Sequence, residues 1–355
     1  MAKNKGDFTL KLINAFFYIL GIFIIGIILS LINMVYDNYK LKQQRWSIDD
    51  YLKEGFENND DTELSGSSNN LSKGNNNNDP FTDSYCNIYN IVFNEKDVYK
   101  YDVNQIMNKV FKYKKIKSGG KSTRGGLLKD ARSAFVLDAG SGVGRHYELL
   151  NKKLKNLVGV DKSQSMIKYA KIRNPTGDFI KGDIVDTQLF NMNTYDCITC
   201  MTDTLYHNKP QDMENIIKNF NLWLKDNGVL CIHIFDKNNL EPAPMNRSQY
   251  YKDKNGIKHA QTKYNNFVHD SFWLKNKDDG VANVKYVEKI IFNNKNSLEN
   301  KNKQIKDKIN VLDMYIPRKK EIIKMITDNG FKLVEISDYK KIKVDFYDLY
   351  FFRKV

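Results

Sequence analysis

The sequence predicts an α/β protein: a mostly parallel sheet of seven strands with helices on both faces, an antiparallel insertion, and one membrane-spanning helix ahead of both. Three observations predict it. Strand-length apolar runs alternate with helix-period stretches between residues 135 and 235, as a chain of βαβ units requires. After residue 236 that rhythm stops, and the turns DKNG and NKDDG break up shorter runs. Near the N-terminus the 24 residues LINAFFYILGIFIIGIILSLINMV (12–35) carry no charge.

Those 24 residues would make a helix about 36 Å long, enough to cross a hydrocarbon core of about 30 Å. The run is apolar on every side, unlike the stripe of a core helix. It ends in NMVYDNYK with no small-residue cleavage site, unlike a signal peptide. The expectation is an uncleaved single-span anchor behind a tail of residues 1–11. Residues 36–79 then form a juxtamembrane segment and linker. The stretch ENNDDTELSGSSNNLSKGNNNNDP (57–80) is nearly without large apolar side chains. It cannot bury enough surface to offset chain entropy, so a disordered tether is expected. The folded part is residues 80–355.

Within it, strands are expected at 135–138, 156–161, 178–182, 195–201 and 228–235, with helices at 144–153, 163–172 and 211–225. The last helix places Met213, Ile216, Ile217, Phe220 and Leu224 on one face, the spacing of a buried stripe. Segments 247–253, 264–274 and 281–292 read as antiparallel strands of an insertion over about 240–315. A helix at 317–329 and strands at 331–336 and 346–353 complete the seven-stranded sheet. The chain shows no internal repeat.

The net charge of +14 is uneven. Residues 1–79 hold 8 of the 56 Lys and Arg and 10 of the 42 Asp and Glu, which leaves 48 against 32, or +16, on residues 80–355. A basic folded part attracts phosphate, on nucleic acid or on a lipid surface, although the chain is rich in Asn and Lys throughout. The segment 112–132 concentrates this charge, with eight Lys or Arg against one acid, and reads as a mobile basic loop. The four cysteines, Cys86, Cys197, Cys200 and Cys231, are too few and scattered for a disulfide framework. Cys197 and Cys200 fall on one strand, where neighbours three apart point to opposite faces, so no metal site is expected there.

The chemistry gathers at the carboxyl ends of the strands, where open α/β sheets bind ligands. The first strand runs into VLDAGSGVGRHYELL (136–150), with Asp138, Gly140, Ser141, Gly142 and Gly144. The second ends at Asp161, 23 residues on, and the third at Gly182-Asp183, 22 residues beyond that. A glycine turn at a helix N-terminus lets a ligand approach backbone amides. An acid ending the second strand suits a ribose diol. An acid after the third can accept from an exocyclic amine, with Ile184 covering a purine ring. Together they describe an adenosine site.

The stretch 134–236 resembles class I S-adenosylmethionine-dependent methyltransferases of the broad small-molecule type. VLDAGSGVGR, VGVDKSQSMIKYA, FIKGDIVD and YDCITCMTDTLYH match that family's first four motifs, and DLYFFRKV resembles its final strand. The rival dinucleotide pattern G-x-G-x-x-G needs a glycine at 145, which is Arg. The resemblance implies a Rossmann-like fold and S-adenosylmethionine as cofactor. It implies a cofactor-binding set of Asp138, Gly140, Ser141, Gly142, Gly144, Asp161, Asp183, Ile184, Met201 and Tyr89. Tyr85 and Tyr89 lie in a segment that closes over the cofactor in many such enzymes. Tyr206 and His207 follow the fourth strand, where an acceptor would meet the methyl group; His207 is the candidate base and His233 reads as core.

The expected function is a membrane-anchored methyltransferase with a small-molecule or lipid-like acceptor. An RNA methyltransferase is the runner-up, because of the +16, and a non-catalytic binding platform at a membrane is a further alternative. Lys3, Lys5 and Lys11 before the apolar run balance Lys40, Lys42 and Arg45 after it, so flanking charge does not orient it. Cytosolic cofactor supply, core cysteines and the basic loop place the catalytic domain in the cytosol. The sequons Asn70-Leu71-Ser72 and Asn246-Arg247-Ser248 would report the reverse orientation.

Overall fold

In the computed structural model, residues 81–111, 133–243, 248–275, 283–292 and 307–355 are described, together with Gly21. The expected anchor (Gly21 apart), the tether, the basic loop 112–132 and the two glycosylation asparagines lie outside the described residues. No helix among the described residues is long and apolar enough to cross a membrane.

Strand β1 (Phe135–Ala139) lies inside the main sheet, which explains why Val136, Leu137 and Ala139 are all fully buried. It pairs in parallel with β2 (Asn156–Asp161) on one side and β4 (Tyr195–Cys200) on the other. Outward from these lie β3 (Asp178–Lys181), parallel to β2, and β5 (Leu224–Phe235), parallel to β4. Two strands from the C-terminal end, β11 (Phe331–Ser337) and β12 (Tyr347–Lys354), complete seven in the order β11-β12-β5-β4-β1-β2-β3, with β12 antiparallel to both its neighbours. The seven-stranded, mostly parallel sheet is the expected one. Strand order reverses between β1 and β4, and that switch point opens a crevice at the strands' carboxyl ends.

Helices α1 (Asp83–Val92) and α2 (Lys96–Lys109) precede the sheet; α3 (Arg145–Asn151), α4 (Gln164–Arg173), α5 (Pro210–Trp223) and α6 (Lys319–Asp328) connect its strands. Met213, Ile216, Ile217 and Phe220 bury the expected face of α5, but Leu224 opens β5 directly, four residues before the expected start. Helix α2 went unread in the sequence, although Val98, Val103, Ile106 and Met107 are buried at helical spacing.

The insertion folds as a second sheet, a five-stranded antiparallel meander in the order β10-β9-β8-β7-β6. Its strands are β6 (Gln249–Lys252), β7 (Lys258–Lys263), β8 (Phe267–Lys275), β9 (Asn283–Phe292) and β10 (Lys308–Tyr315). Three were expected; β7 and β10 were not. The sequence of β7, KHAQTK, has little strand propensity of its own, and pairing with β6 and β8 imposes the conformation. Register lines up Trp273, Tyr286 and Leu312 across β8, β9 and β10, so they share one face. All four cysteines are buried and free. Cys197 meets Cys231 on the adjacent strand, sulfur to sulfur 3.8 Å, rather than Cys200.

Candidate active site

One cavity runs from the glycine loop to the second sheet. Its first wall is the carboxyl edge of the parallel sheet: Gly140 and Gly142 after β1, Asp161 ending β2 with Lys162 after it, and Gly182, Asp183 and Ile184 after β3. The three glycines of the loop all have positive φ (70°, 52° and 76°), but their neighbours differ. A Cβ on Gly140 would stand 2.1 Å from Cγ2 of Thr204, and one on Gly144 would stand 2.7 Å from Nδ2 of Asn174. A Cβ on Gly142 would meet nothing within 4 Å. Protein packing therefore requires the outer glycines, while Gly142 borders open space on the cavity wall.

Asp161 binds the loop to the sheet. Its Oδ2 accepts from the Gly142 amide at 2.9 Å and its Oδ1 from the Ser163 amide at 2.9 Å, so the carboxylate is held in one orientation at the cavity edge. Asp183 is exposed at the same edge, its Oδ1 accepting from the Val185 amide at 3.1 Å. An open glycine backbone, a fixed acid, a second acid and an apolar Ile184 side chain are what an adenosine-bearing ligand needs. The residues present therefore fit S-adenosylmethionine.

Four members of the expected set stand behind this wall rather than on it. Asp138 is buried between strands, accepting from Thr199 Oγ1 at 2.8 Å; burial pushes its carboxyl above the ordinary range. Its other oxygen and Ser141 Oγ have no partner among the described residues. Gly144 turns into α3, and Met201 is 3% exposed and absent from the lining. Burial at strand ends outweighs proximity in sequence at each of these positions.

The segment after β4 forms the cavity floor through Thr202, Asp203, Thr204, His207 and Asn208. His207 Nε2 lies 3.2 Å from Asp203 Oδ2, and the Phe81 ring meets the imidazole edge-on at 5.6 Å between centroids. Burial alone would raise the Asp203 carboxyl, but its pairing with the His207 imidazole holds it below its ordinary value. Tyr206, expected beside the acceptor, is instead fully buried: its hydroxyl donates to the His233 carbonyl at 3.3 Å and accepts from the Phe235 amide at 2.9 Å. Both hydrogen-bonding capacities are spent on β5, so Tyr206 is a structural residue and not an acid or base.

Helix α1 roofs the cleft. Tyr85 and Tyr89, four residues apart on one face of the helix, line it together with Phe81 just before the helix and Phe93 at its C-cap. The Arg145 guanidinium lies 4.6 Å from the Tyr89 ring centre and donates to the Tyr89 carbonyl at 2.6 Å. The opposite wall comes from the second sheet and the late strands: Trp273, Tyr286, Leu312, Met314, Phe346 and Tyr347.

Sequence reasoning missed the network beneath the floor. Thr202 has left-handed backbone (φ 51°), unusual for a branched residue, and its amide donates to His233 Nδ1 at 2.8 Å. His233 Nε2 therefore carries the proton, directed toward the Tyr339 hydroxyl at 3.1 Å and Asp102 Oδ1 at 3.4 Å. Asp102 also binds His146 Nε2 at 2.7 Å and the Tyr339 hydroxyl. Despite its complete burial, these partners hold the Asp102 carboxyl far below its usual range. The available signal was His233 itself, a lone polar residue in the apolar run LCIHIF, which must find a partner when buried.

Residues 136–228 match the family described as "Methyltransferase domain". No curated protein matches the chain. Among solved structures, an S-adenosylmethionine-dependent methyltransferase from Clostridium acetobutylicum ATCC 824 is similar at 19% identity and a TM-score of 0.46, covering 62% of this chain and 83% of that one. The CcbJ methyltransferase from Streptomyces caelestis is similar at 13% identity and a TM-score of 0.49, covering 63% and 85%. CalS10 from Micromonospora echinaspora, an amino pentose methyltransferase, is similar at 14% and 0.47, covering 74% and 91%. The family match spans β1 to β5, the same strands whose ends build the adenosine wall. The chain thus carries a methyltransferase domain.

Proposed function

We propose that the enzyme methylates a small-molecule or lipid-like acceptor and is held at a membrane by residues 12–35, with its catalytic domain in the cytosol. The observation that carries the acceptor class is the cavity whose far end is walled by Trp273, Tyr286, Leu312, Met314 and Tyr347. Such a recess suits a compact apolar molecule. An RNA backbone would bring phosphates against Asp203, Glu95 and Glu241, which also line it.

The cofactor supplies an electrophilic methyl group on a sulfonium. Asp161 would hold the ribose hydroxyls, Asp183 the adenine amine and Ile184 the ring face, while Tyr85 and Tyr89 would close the roof and exclude water. His207, oriented by Asp203, takes a proton from the acceptor where one must leave. His207→Gln should lower kcat by about 10²- to 10⁴-fold, the usual range for loss of a general base, with S-adenosylhomocysteine affinity unchanged.

Thermal-shift titration tests the cofactor assignment. S-adenosylmethionine and S-adenosylhomocysteine should raise Tm and NADH should not, because only a native-state ligand stabilises. Asp161→Ala should weaken that response by about 10- to 100-fold in Kd, the worth of a charged hydrogen bond. Stabilisation by NADH alone would remove the reading. Transfer of labelled methyl to a lipid or metabolite fraction separates the enzyme from a binding platform, and steep loss of RNA binding with added salt would favour RNA. Glycans gained at Asn70 or Asn246 during synthesis with microsomes would reverse the proposed orientation.

A further inference from the structure

The folded part is strongly basic, yet its cleft is acidic. Residues 80–355 carry +16, while among the described residues the charged groups on the cavity wall, His207 aside, are Glu95, Asp161, Asp183, Asp203, Glu241 and one lysine, Lys162. Asp161 and Asp183 belong to the adenosine end with Lys162. That leaves Glu95, Asp203 and Glu241 among the aromatic side chains of the acceptor end.

Three aromatic residues there have already used their polar tips. Tyr99 donates its hydroxyl to the Phe93 carbonyl at 2.5 Å, Trp273 Nε1 donates to the Glu241 carbonyl at 3.0 Å, and Tyr286 donates to the Ala243 carbonyl at 3.2 Å. What these residues can offer a ligand is chiefly ring surface. The hydroxyls also register the local field. Burial first, then Asp102, Glu95 and Asp203 among others, push Tyr347 well above its ordinary range; burial first, then chiefly Glu288, raises Tyr286. Ring faces together with carboxylates attract cations and repel anions.

Resting on the methyltransferase reading above, we propose that the acceptor is an amine on an apolar or aromatic frame, bound as its ammonium ion among these rings with Glu95 and Glu241 as counter-charges. Glu241 is held in place by its ion pair with Lys258, which is outside the cavity lining. The bound ammonium must shed one proton to expose its lone pair, and His207, paired with Asp203, accepts it. The amine nitrogen then forms the new N–C bond as the methyl C–S bond breaks, with that electron pair going to sulfur. The product leaves as an N-methylammonium ion beside S-adenosylhomocysteine.

The test is calorimetry on the full-length chain saturated with S-adenosylhomocysteine, using three probes of one size: phenethylammonium, neutral phenethyl alcohol and anionic phenylacetate. The ammonium should bind at least about tenfold tighter than the alcohol, with phenylacetate weakest. Glu95→Gln combined with Glu241→Gln should abolish that preference while S-adenosylhomocysteine affinity stays the same. Equal binding of the ammonium and the alcohol, preference for phenylacetate, or no binding of the ammonium overturns the proposal even if the double variant does not fold. S-adenosylhomocysteine binding without cation preference removes only the amine; failure to bind S-adenosylhomocysteine removes the methyltransferase reading and the amine with it.

Discussion

Along the parallel-sheet wall, each ligand-facing group stands within a few residues of a strand's carboxyl end: Gly142 after β1, Asp161 at the end of β2, Asp183 after β3. Along the antiparallel wall, Trp273, Tyr286 and Leu312 come from three separate strands and meet only through register. Each wall is braced from behind by a buried carboxylate. Asp102 receives His146, His233 and Tyr339 beneath the first. Glu288 receives Tyr85, His269 and Asn310 behind the second. A wall made at strand ends is assembled by local chain geometry, whereas a wall made by register depends on contacts distant in sequence.

Removing the brace of the first wall should have the largest effect. Asp102→Asn leaves two histidines and a tyrosine around a neutral amide, and loss of one member of a buried charged network costs about 3–5 kcal/mol. Chemical denaturation at pH 7 measures it. The pH dependence carries a sign: the folded carboxyl is held below its unfolded value of 3.8, so its contribution is complete above that value and lost as pH falls through the folded pKa. The wild type should therefore lose stability from about pH 4 downward more steeply than Asp102→Asn. Equal slopes would show that the network does not hold this charge.

Two glycine variants divide the first wall into packing and binding. Gly140→Ala adds a methyl against Thr204 and keeps a left-handed backbone, so about 2–4 kcal/mol of stability should go. Gly142→Ala adds its methyl to open space, so only the backbone term of about 1–2 kcal/mol applies. It should nevertheless weaken S-adenosylhomocysteine binding more than its neighbour does per unit of lost Tm. If both variants lose stability and affinity in the same ratio, Gly142 is an ordinary turn.

The same contrast explains what could be read in advance. Gly142, Asp161 and Asp183 were legible because strand, turn and acid are contiguous in VLDAGSGVGR, VGVD and FIKGD. Local spacing also placed His207, but it placed Tyr206 beside it without showing that β5 consumes both sides of the Tyr206 hydroxyl. All five histidines stand within 4 Å of a carboxylate, in the pairs His146–Asp102, His207–Asp203, His233–Asp102, His259–Asp270 and His269–Glu288. Only the second is local. The acceptor wall was illegible because a single sequence contains no information about which strand of a meander pairs with which residue opposite. Strand β7 shows this most plainly, since KHAQTK is a strand only through its neighbours.

The smallest effect concerns whether the two walls are independent. Tyr85 belongs to the roof over the cofactor, yet its hydroxyl donates to Glu288 Oε2 at 2.6 Å, 203 residues away on the second sheet. Burial and then Glu288 raise that hydroxyl's pKa well above the ordinary tyrosine range, so it remains a donor at every physiological pH. Tyr85→Phe removes one hydrogen bond and orphans nothing, because Glu288 keeps His269 at 2.9 Å on one oxygen and Asn310 at 3.1 Å on the other. The cost should be about 1.5 kcal/mol, the lower end for a bond to a charged group. The ring stays in the roof, so S-adenosylhomocysteine affinity should change by less than about threefold. A tenfold loss in Kd at that modest stability cost would mean that Glu288 positions α1 over the cofactor. In that case the acceptor wall sets the geometry of the cofactor wall, and an acceptor pressing on the second sheet would be felt at the adenosine end through one hydroxyl.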